Sequence, residues 1–462
     1  MMQISRAAVL GLLSCALPHQ AMAAPSPAPA DAPAATLAER ATTTLSDVVI
    51  FSPPSNAGWV DPRVLYARAV ALSSGDLLAT WENYSPEPPQ VYFPVYKSTD
   101  KGKTWSKDAI GQIRDTENNW GMRYQPTLFE LPQAVGDFPK GTVLAAGNSI
   151  PTDLSKTKID VYASRDGGAT WTFVSSVASG GEARPNNGLT PVWEPLFMVF
   201  NNQLVIYYSD QRDPKYGQKL VHQTTTDLKT WGPIVDDIRD DAAYAARPGM
   251  PAVAPLPDGR YIYAYEACGT DGCKIHYRLP QSPVDNVNAA QDFSLKSDKG
   301  NRPTSSPNVV VWNNDTIVLS AGSGSQVFVN RKLGDPNAWV EYATPQPAAY
   351  SRGIMLLGKD DPDALLLIGA GGLPPSTTNR VSVSVIDLRA TLAGAGTAGA
   401  GAGSAAGGAA AGKPATAGGA LFSSGDLNGN ANSGASGQPA TQGAAQTSGV
   451  AKRRGLVPKL RL

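Results

Sequence analysis

Between residues 45 and 392 the chain is a succession of short apolar runs, each ended by glycine, asparagine, aspartate or proline. Few stretches place apolar residues at the three- and four-residue spacing of an amphipathic helix. Runs of this length, bounded by turn residues, are typical of strands. The pattern therefore predicts an all-β body of short strands joined by tight turns.

Six segments of this body begin alike, with a polar residue or a proline at or near the start of an apolar run: residues 65–72, 123–128, 193–198, 247–253, 306–311 and 351–356. A body of roughly 350 residues, divided by about 60 for a four-stranded blade, also gives six units. We therefore expect a six-bladed β-propeller with these segments as inner strands around a channel. Residues 48–51 would supply the outer strand of the sixth blade and close the ring.

Two nearly identical octapeptides follow apolar runs, STDKGKTW at 98–105 and SRDGGATW at 164–171, and a third copy, TTDLKTW at 225–231, lacks the glycine. Their aspartates, Asp100, Asp166 and Asp227, are 66 and 61 residues apart, a repeat of about one blade. In such a turn the aspartate bonds the backbone, glycine supplies a positive φ, and tryptophan packs between sheets. The unit resembles the Asp-box, or BNR, repeat of sialidase-like β-propellers. It indicates the fold and says little about the chemistry.

The balance of charges restricts the partners. The chain has 39 basic and 39 acidic residues and a formal net charge of zero, which argues against nucleic acid and anionic membranes. We expect no cofactor, no metal and a monomer. A zinc site is not expected because His222 and His276 are the only histidines beyond the leader.

Both ends of the chain differ from the body. Residues 1–23 read as a signal peptide, with Arg6, an apolar run at 7–17 and an Ala-Met-Ala cleavage signal at 21–23, so we expect a secreted, extracellular protein. Residues 24–44 form an Ala/Pro-rich spacer, and 45–392 form the propeller. Residues 393–462 are a Gly/Ala/Ser-rich tail with a basic end, predicted to be disordered.

Cys268 and Cys273 are the cysteines that remain after removal of the leader. In an oxidising compartment a disulfide between them is favoured over two free thiols.

Two glutamates stand out as candidate catalytic residues. Glycoside cleavage needs two carboxyl groups across the scissile bond. Glu194 lies between tryptophan and proline at the start of a predicted inner strand, and Glu266 ends the aromatic run YIYAYEAC. Such settings raise a carboxyl pKa or direct it at a sugar. The alternative is that either glutamate only pairs with an arginine of the ring.

Longer motifs point to one family. The chain carries ENYSPEPP at 82–89, VYFPVY at 91–96, WEP at 193–195, YYSDQR at 207–212, RPGMP at 247–251 and YE at 265–266. Together they resemble the secreted fungal exo-1,5-α-L-arabinanases of glycoside hydrolase family 93, over residues 48–373. The resemblance implies a retaining mechanism that releases arabinobiose from the end of linear 1,5-α-arabinan. It also implies that Glu194 is the acid/base, Glu266 the nucleophile and Tyr350 a tyrosine that supports the nucleophile.

The same resemblance gives a set of substrate-binding candidates. The arginines would bond sugar hydroxyls or hold the glutamates ionised, and the aromatic residues would stack on sugar faces: Arg68, Arg123, Arg247, Arg352, Trp193 and Tyr265. A purely structural role stays open for each of them.

Two other functions stay open. A sialidase would hold a sugar carboxylate with three arginines and use a tyrosine nucleophile backed by a glutamate, for which Tyr350 and Glu266 are candidates. A non-catalytic Asp-box propeller would bind glycans and form no product.

Overall fold

The computed structural model describes residues 44–55 and 58–397. Within these residues 24 strands form six four-stranded sheets. Each strand runs antiparallel to the strand it pairs with. The sheets are the blades of a β-propeller, so the predicted fold is confirmed. The signal peptide, the spacer up to residue 43 and the tail from residue 398 lie outside the described residues.

The first strand, β1 (Leu45–Phe51), belongs to the last blade. The first three blades contain β2 (Val64–Ala71), β3 (Leu77–Asn83), β4 (Phe93–Ser98) and β5 (Gly111–Ile113); β6 (Met122–Glu130), β7 (Val143–Ser149), β8 (Thr157–Ser164) and β9 (Thr172–Gly180); and β10 (Val192–Phe200), β11 (Gln203–Asp210), β12 (Lys219–Thr225) and β13 (Val235–Ile238).

The remaining blades contain β14 (Arg247–Pro255), β15 (Tyr261–Cys268), β16 (Lys274–Arg278) and β17 (Asp292–Ser294); β18 (Asn308–Trp312), β19 (Thr316–Ser320), β20 (Gln326–Asn330) and β21 (Trp339–Ala343); and β22 (Gly353–Leu356), β23 (Ala364–Gly369) and β24 (Val381–Asp387). The inner strands are β2, β6, β10, β14, β18 and β22, which agree with the six predicted blade starts.

The ring closes through the first strand of the body. β1 pairs with β24, with Val48 opposite Val383 and Phe51 opposite Val381. The outer strand of the sixth blade therefore comes from the start of the chain, as the sequence predicts. This pairing joins the two ends of the propeller, which otherwise would meet only through side chains.

Hydrophobic cores lie between neighbouring blades. Alternate residues of a strand point to opposite faces of its sheet, and in β11 both sets are apolar. Leu204 and Ile206 pack against the second blade, whereas Val205 and Tyr207 pack against the fourth. Equivalent clusters fill the other gaps between blades. Burial on both faces of each sheet explains why the apolar runs are nearly continuous.

The Asp-box turns join the third and fourth strands of the first three blades. In the second blade, Asp166 accepts hydrogen bonds from the hydroxyls of Ser164 at 2.7 Å and Thr170 at 2.6 Å, and from the Thr170 backbone N–H at 2.9 Å. Ser164 Oγ accepts the N–H of Gly168 at 2.8 Å, whose φ is 95°. Trp171 packs against the core between the first and second blades, as predicted.

The third Asp-box shows how the turn tolerates the missing glycine. Here the hydroxyl of Thr225 accepts the N–H of Leu228 at 2.9 Å, so the turn is one residue shorter. Leu228 has a φ of 62° and its side chain is buried in the core between the second and third blades. Burial of the leucine offsets the backbone strain that a glycine would avoid.

The predicted disulfide is present in the structure. Cys268 and Cys273 form it, and it closes the turn between β15 and β16.

The boundary between the propeller and the tail differs from the prediction. A helix, α1 (Leu388–Thr397), follows β24, so residues 393–397, assigned to the tail from composition, instead complete this helix. A short 3-10 helix spans Val287–Ala289. No helix in the described part of the chain has the length and hydropathy needed to cross a bilayer.

Candidate active site

A β-bulge recurs at the same place in the inner strands of the first four blades. In β10 the paired register passes from Trp193 opposite Ser209 to Leu196 opposite Tyr207, so two residues face one. The corresponding bulges begin at Tyr66, Gln125 and Met250. The bulge residues, Glu194 included, have φ values of 50–62°. A bulge redirects side chains and is common beside active sites.

Hydrogen bonds between blades hold this strained backbone. The N–H of Gln125 donates to Glu82 at 2.8 Å, and that of Glu194 donates to the Gln125 side-chain oxygen at 3.1 Å. The N–H of Met250 donates to Glu194 at 2.8 Å, and that of Ser306 donates to Glu266 at 2.9 Å. Each bond joins a blade to the one before it, so the bulges and the carboxyls position each other. We refer to this set of contacts as the mouth ring.

Glu194 is the bulge residue of the third blade and is 8% exposed. Its Oε2 accepts the hydroxyl of Ser209 at 2.5 Å as well as the Met250 N–H. Burial raises the pKa of Glu194, but these two donors and the positive charges of Arg247 and Arg68 oppose that rise. Both donors and both cations stabilise the ionised carboxylate.

Glu266 lies near the end of β15 and is only partly buried. Burial and then the negative charge of Glu194 raise the pKa of Glu266 to about 7, against the opposing effects of the Ser306 N–H and Arg247. Glu266 therefore holds its proton more readily than an ordinary carboxyl. Because the two carboxyls interact, the ionisation of one makes the ionisation of the other harder, which favours a single proton on the pair.

The two carboxyls meet at Gly249. A Cβ at this position would lie 3.2 Å from Oε1 of Glu266 and 3.5 Å from Oε2 of Glu194. The two oxygens are therefore within about 7 Å of each other, a separation compatible with two carboxyls flanking one sugar bond. Because Gly249 has no side chain, the space between the two carboxyls stays free.

Tyr350 also lies beside the carboxyls. Its ring meets Tyr66 edge-on at 6.1 Å between centroids. Burial, followed by the negative charges of Glu266 and Glu194, raises the pKa of Tyr350 well above its usual value. The phenol is therefore neutral and available as a hydrogen-bond donor.

Two of the four predicted arginines face this site. Arg68 stacks on the Tyr66 ring at 4.0 Å and donates to the backbone oxygen of Ser351 at 2.7 Å and to its hydroxyl at 2.6 Å. Arg247 donates to Gln218 at 2.7 Å and to Asn187 at 2.9 Å. Neither guanidinium is paired directly with a glutamate, yet both act on Glu194 electrostatically.

The other two arginines are placed differently. Arg123 forms an ion pair with Glu87 at 2.9 Å, next to the mouth ring. Arg352 is 0% exposed, and its guanidinium donates to the backbone oxygens of Gln326 and Gln346. Burial lowers the pKa of Arg352 to about 10. The expectation of a sugar contact for Arg352 is therefore corrected to a structural role between the fifth and sixth blades.

The two predicted stacking residues are buried beneath the site. Trp193 donates to Gln211 at 2.8 Å and packs among Ile150 and Ala183. Tyr265 donates to Asp292 at 2.6 Å and packs in the core between the third and fourth blades. Both support the backbone that carries the neighbouring glutamate, and neither offers a ring face to the channel in this structure.

The sequence analysis missed a third carboxyl, Glu82, at the end of β3 and 3% exposed. Burial raises the pKa of Glu82 to about 7, opposed by donors on Tyr84 and Gln125. Glu82 lies opposite Leu65, and Glu266 lies opposite Gly249, so the two occupy equivalent places in their blades. A signal exists, since each glutamate follows an aromatic residue at the end of a second strand.

The site has no arrangement suited to a metal. Among the residues that the structure describes, no group of three or more His, Cys, Asp and Glu side chains could hold an ion.

Known proteins similar to this chain include several glycoside hydrolases. No protein-family model matches the chain. A xyloglucanase from Paenibacillus sp is 27% identical over 124 residues, which span 26% of this chain and 12% of that enzyme. The GH93 α-L-arabinofuranosidase of Fusarium graminearum, solved with arabinobiose, is 52% identical, with a TM-score of 0.72, over 76% of this chain and 99% of that one. The Penicillium chrysogenum α-L-arabinanase, also solved with arabinobiose, is 50% identical, with a TM-score of 0.72, over 76% of this chain and 100% of that one.

A likeness at 50–52% identity that covers nearly the whole of these two relatives shows the family. The chain is a glycoside hydrolase and belongs to family 93.

Proposed function

We propose that this chain is a secreted, monomeric exo-1,5-α-L-arabinanase that releases arabinobiose from linear arabinan with retention of configuration. The observation that carries the proposal is the meeting of Glu194 and Glu266 at Gly249, where two of their oxygens are at most about 7 Å apart. This bound accommodates the separation of about 5–5.5 Å in retaining enzymes and lies below most of the range of roughly 6.5–9.5 Å in inverting ones. The arabinobiose bound by the Fusarium and Penicillium relatives supports the substrate class. Secretion rests on the leader at 1–23, outside the described residues.

The roles of the two glutamates follow the resemblance to family 93, with Glu194 as the acid/base and Glu266 as the nucleophile. Burial raises the pKa of Glu194, and burial together with the charge of Glu194 raises the pKa of Glu266 to about 7. Arg247 opposes the rise at both carboxyls. A coupled pair of this kind holds one proton and one negative charge, which is what an acid/base and a nucleophile need at the start of the reaction.

The reaction then proceeds in two displacements. Glu266 attacks the anomeric carbon while Glu194 gives its proton to the leaving glycosidic oxygen, which yields a glycosyl ester on Glu266. Glu194, now a carboxylate, takes a proton from water as that water attacks the anomeric carbon, and Glu266 leaves as the carboxylate. Tyr350 remains a neutral phenol and steadies the pair by donating a hydrogen bond.

The sialidase alternative finds less support. A clamp for a sugar carboxylate needs several free arginines, whereas Arg123 is paired with Glu87 and Arg352 is buried against backbone oxygens. The raised pKa of Tyr350, caused by burial and by both glutamates, also disfavours a tyrosinate nucleophile.

The deciding experiment is the product profile on linear, debranched arabinan. We expect arabinobiose as the first and dominant product throughout the time course, with its β/α anomeric ratio by NMR showing retention, and no sialic acid from sialyl-lactose. A ladder of longer products at early times would contradict exo action. Absence of any reducing sugar from arabinan would contradict the proposed substrate.

A further inference from the structure

Glu82 is a buried carboxyl at the mouth ring that the proposed reaction does not use. It comes from the first blade, whereas the two catalytic glutamates come from the third and fourth. Its two oxygens have separate partners. Oε2 accepts the Tyr84 hydroxyl at 2.7 Å, and Oε1 accepts the backbone N–H of Gln125 at 2.8 Å. Arg68 lies near enough to lower its pKa, and Glu194 near enough to raise it.

The contact with Gln125 continues to Glu194. Gln125 is itself a bulge residue with a φ of 57°, and its side-chain oxygen accepts the N–H of Glu194, whose φ is 62°. Both conformations are costly for residues with a side chain and persist only where neighbouring groups hold them. The hydrogen bonds from Glu82 to Gln125 and from Gln125 to Glu194 hold two successive bulges.

We propose that Glu82 is a positioning residue that acts through Gln125 to fix the backbone and hence the carboxyl of Glu194. This inference rests on the proposed function, in which Glu194 is a catalytic carboxyl. The hydrogen bonds of Glu82 join it to Tyr84 and Gln125 rather than to Glu194 or Glu266. Its effect is to keep the Gln125 amide and side chain in the one orientation that caps the Glu194 N–H.

The geometry explains why a carboxyl occupies this place. Oε1 and Oε2 accept hydrogen bonds from opposite sides, one from a hydroxyl and one from a backbone N–H. Without Glu82, the half-buried N–H of Gln125 loses its acceptor, which costs about 1–3 kcal/mol and favours a different backbone conformation. The bulge would then relax, and Gln125 would move away from Glu194.

A double-mutant cycle with Glu82→Ala and Gln125→Ala on linear arabinan tests the relay. We expect each single variant to lower kcat about 100-fold with KM changed less than about threefold. The reason is that displacing a catalytic carboxyl weakens its interaction with the transition state more than it weakens substrate binding. If the two residues act in series, the kcat of the double variant should be no more than about threefold below the kcat of the less active single variant. Losses that multiply to about 10,000-fold, or an unchanged kcat in Glu82→Ala, would overturn the relay.

Conservative replacement separates positioning from folding and from charge. Glu82→Gln keeps an oxygen for the Gln125 N–H and an amide that can donate to the Tyr84 oxygen, so we expect kcat within about tenfold of the wild type. If folded Glu82→Gln is as inactive as Glu82→Ala, the negative charge is what matters and the proposal fails.

The matched controls are Glu341→Ala and Glu341→Gln. Like Glu82, Glu341 is a buried glutamate that accepts a side-chain hydroxyl, in its case that of Ser297 at 2.9 Å. Glu341 lies on β21 of the fifth blade. We expect both controls to keep kcat, and the wild-type rate on arabinan tests the proposed function separately. No turnover by the wild type contradicts the proposed function, whereas turnover with independent losses contradicts only the relay.

Discussion

The Asp-box turns and the mouth ring use the same kinds of hydrogen bond over very different distances along the chain. Asp166 takes its donors from residues two to four positions away. In the mouth ring, Gln125 and Glu82 are 43 residues apart, and Glu194 and Gln125 are 69 apart. A local turn can be recognised from eight letters. The mouth ring exists only after whole blades have assembled.

The carboxyls of the two regions also shift in opposite directions. The hydroxyl of Thr170 and then its backbone N–H lower the pKa of the exposed Asp166 to about 2. Burial raises the pKa of Glu82 and of Glu266 to about 7, with the charge of Glu194 adding to the effect at Glu266. Exposed carboxylates with local donors stabilise turns and have a lowered pKa. Buried carboxyls with distant donors have a raised pKa and bind a proton more readily.

The largest expected effect lies at the catalytic pair. Glu194→Ala and Glu266→Ala should each lower kcat/KM on arabinan by at least about 1,000-fold, with near-wild-type circular dichroism and melting. On an activated aryl arabinoside, azide should give an inverted adduct with Glu266→Ala and a retained adduct with Glu194→Ala. The opposite stereochemistry would exchange the two roles, and full activity in either variant would remove that residue from the mechanism.

The second expected effect tests the free space between the carboxyls. Gly249→Ala would place a methyl group 3.2 Å from Glu266, 3.5 Å from Glu194 and 3.0 Å from the Gln218 amide. We expect kcat/KM to fall about 10- to 100-fold, since a displacement of even one ångström at the reacting groups is costly.

Its matched control is Gly232→Ala near the third Asp-box, where the closest atom to a new Cβ is a backbone oxygen at 3.4 Å. We expect no change in kcat/KM there. Equal losses at both glycines would mean that a general packing effect, rather than the site, accounts for the result.

The third expected effect is on pH dependence. Glu194 must carry a proton as the general acid while Glu266 is ionised as the nucleophile, so kcat/KM should follow a bell-shaped profile. Burial raises the pKa of both carboxyls, and the charge of Glu194 adds to the rise at Glu266, to about 7. The limbs of the profile should therefore belong to the pair and be displaced to higher pH than those of ordinary glutamates. A maximum below about pH 4.3, the ordinary pKa of a glutamate, would contradict the coupled pair.

The smallest expected effect on activity belongs to the Asp-box. Asp166→Ala removes an acceptor for several local donors and should lower the free energy of unfolding by about 1 kcal/mol, with kcat/KM unchanged. Because the folded pKa is lowered to about 2 by the Thr170 donors, this contribution is present above the unfolded pKa and is lost as pH falls toward 2. Urea denaturation at pH 7 and at pH 2 would measure it. A loss of activity without a loss of stability would contradict the separation of scaffold and site.

The candidate site was open to prediction only where its residues sit in a distinctive local context. Glu194 and Glu266 are flanked by aromatic residues, proline or a cysteine loop, and the structure places both at Gly249. Glu82 also follows an aromatic residue at the end of a second strand, but its link to Glu194 passes through Gln125, which no local pattern marks. Arg352, like Arg68, was expected to contact the substrate, but the direction of a side chain depends on which residue of the strand has the positive φ. In the sixth blade Ser351 has the positive φ. Arg352 directly follows it, and the side chain of Arg352 points into the protein.

The sequence by itself determined the periodic features: strands from apolar runs, Asp-box turns from their own side chains, and six blades from the spacing of the repeats. These depend on interactions within a few residues or on regular repetition, so they can be recognised without coordinates. The tertiary structure decided which side chains face the channel and which carboxyls have a raised pKa. Those outcomes depend on single-residue bulges and on burial among groups from different blades, and no short stretch of sequence contains both partners.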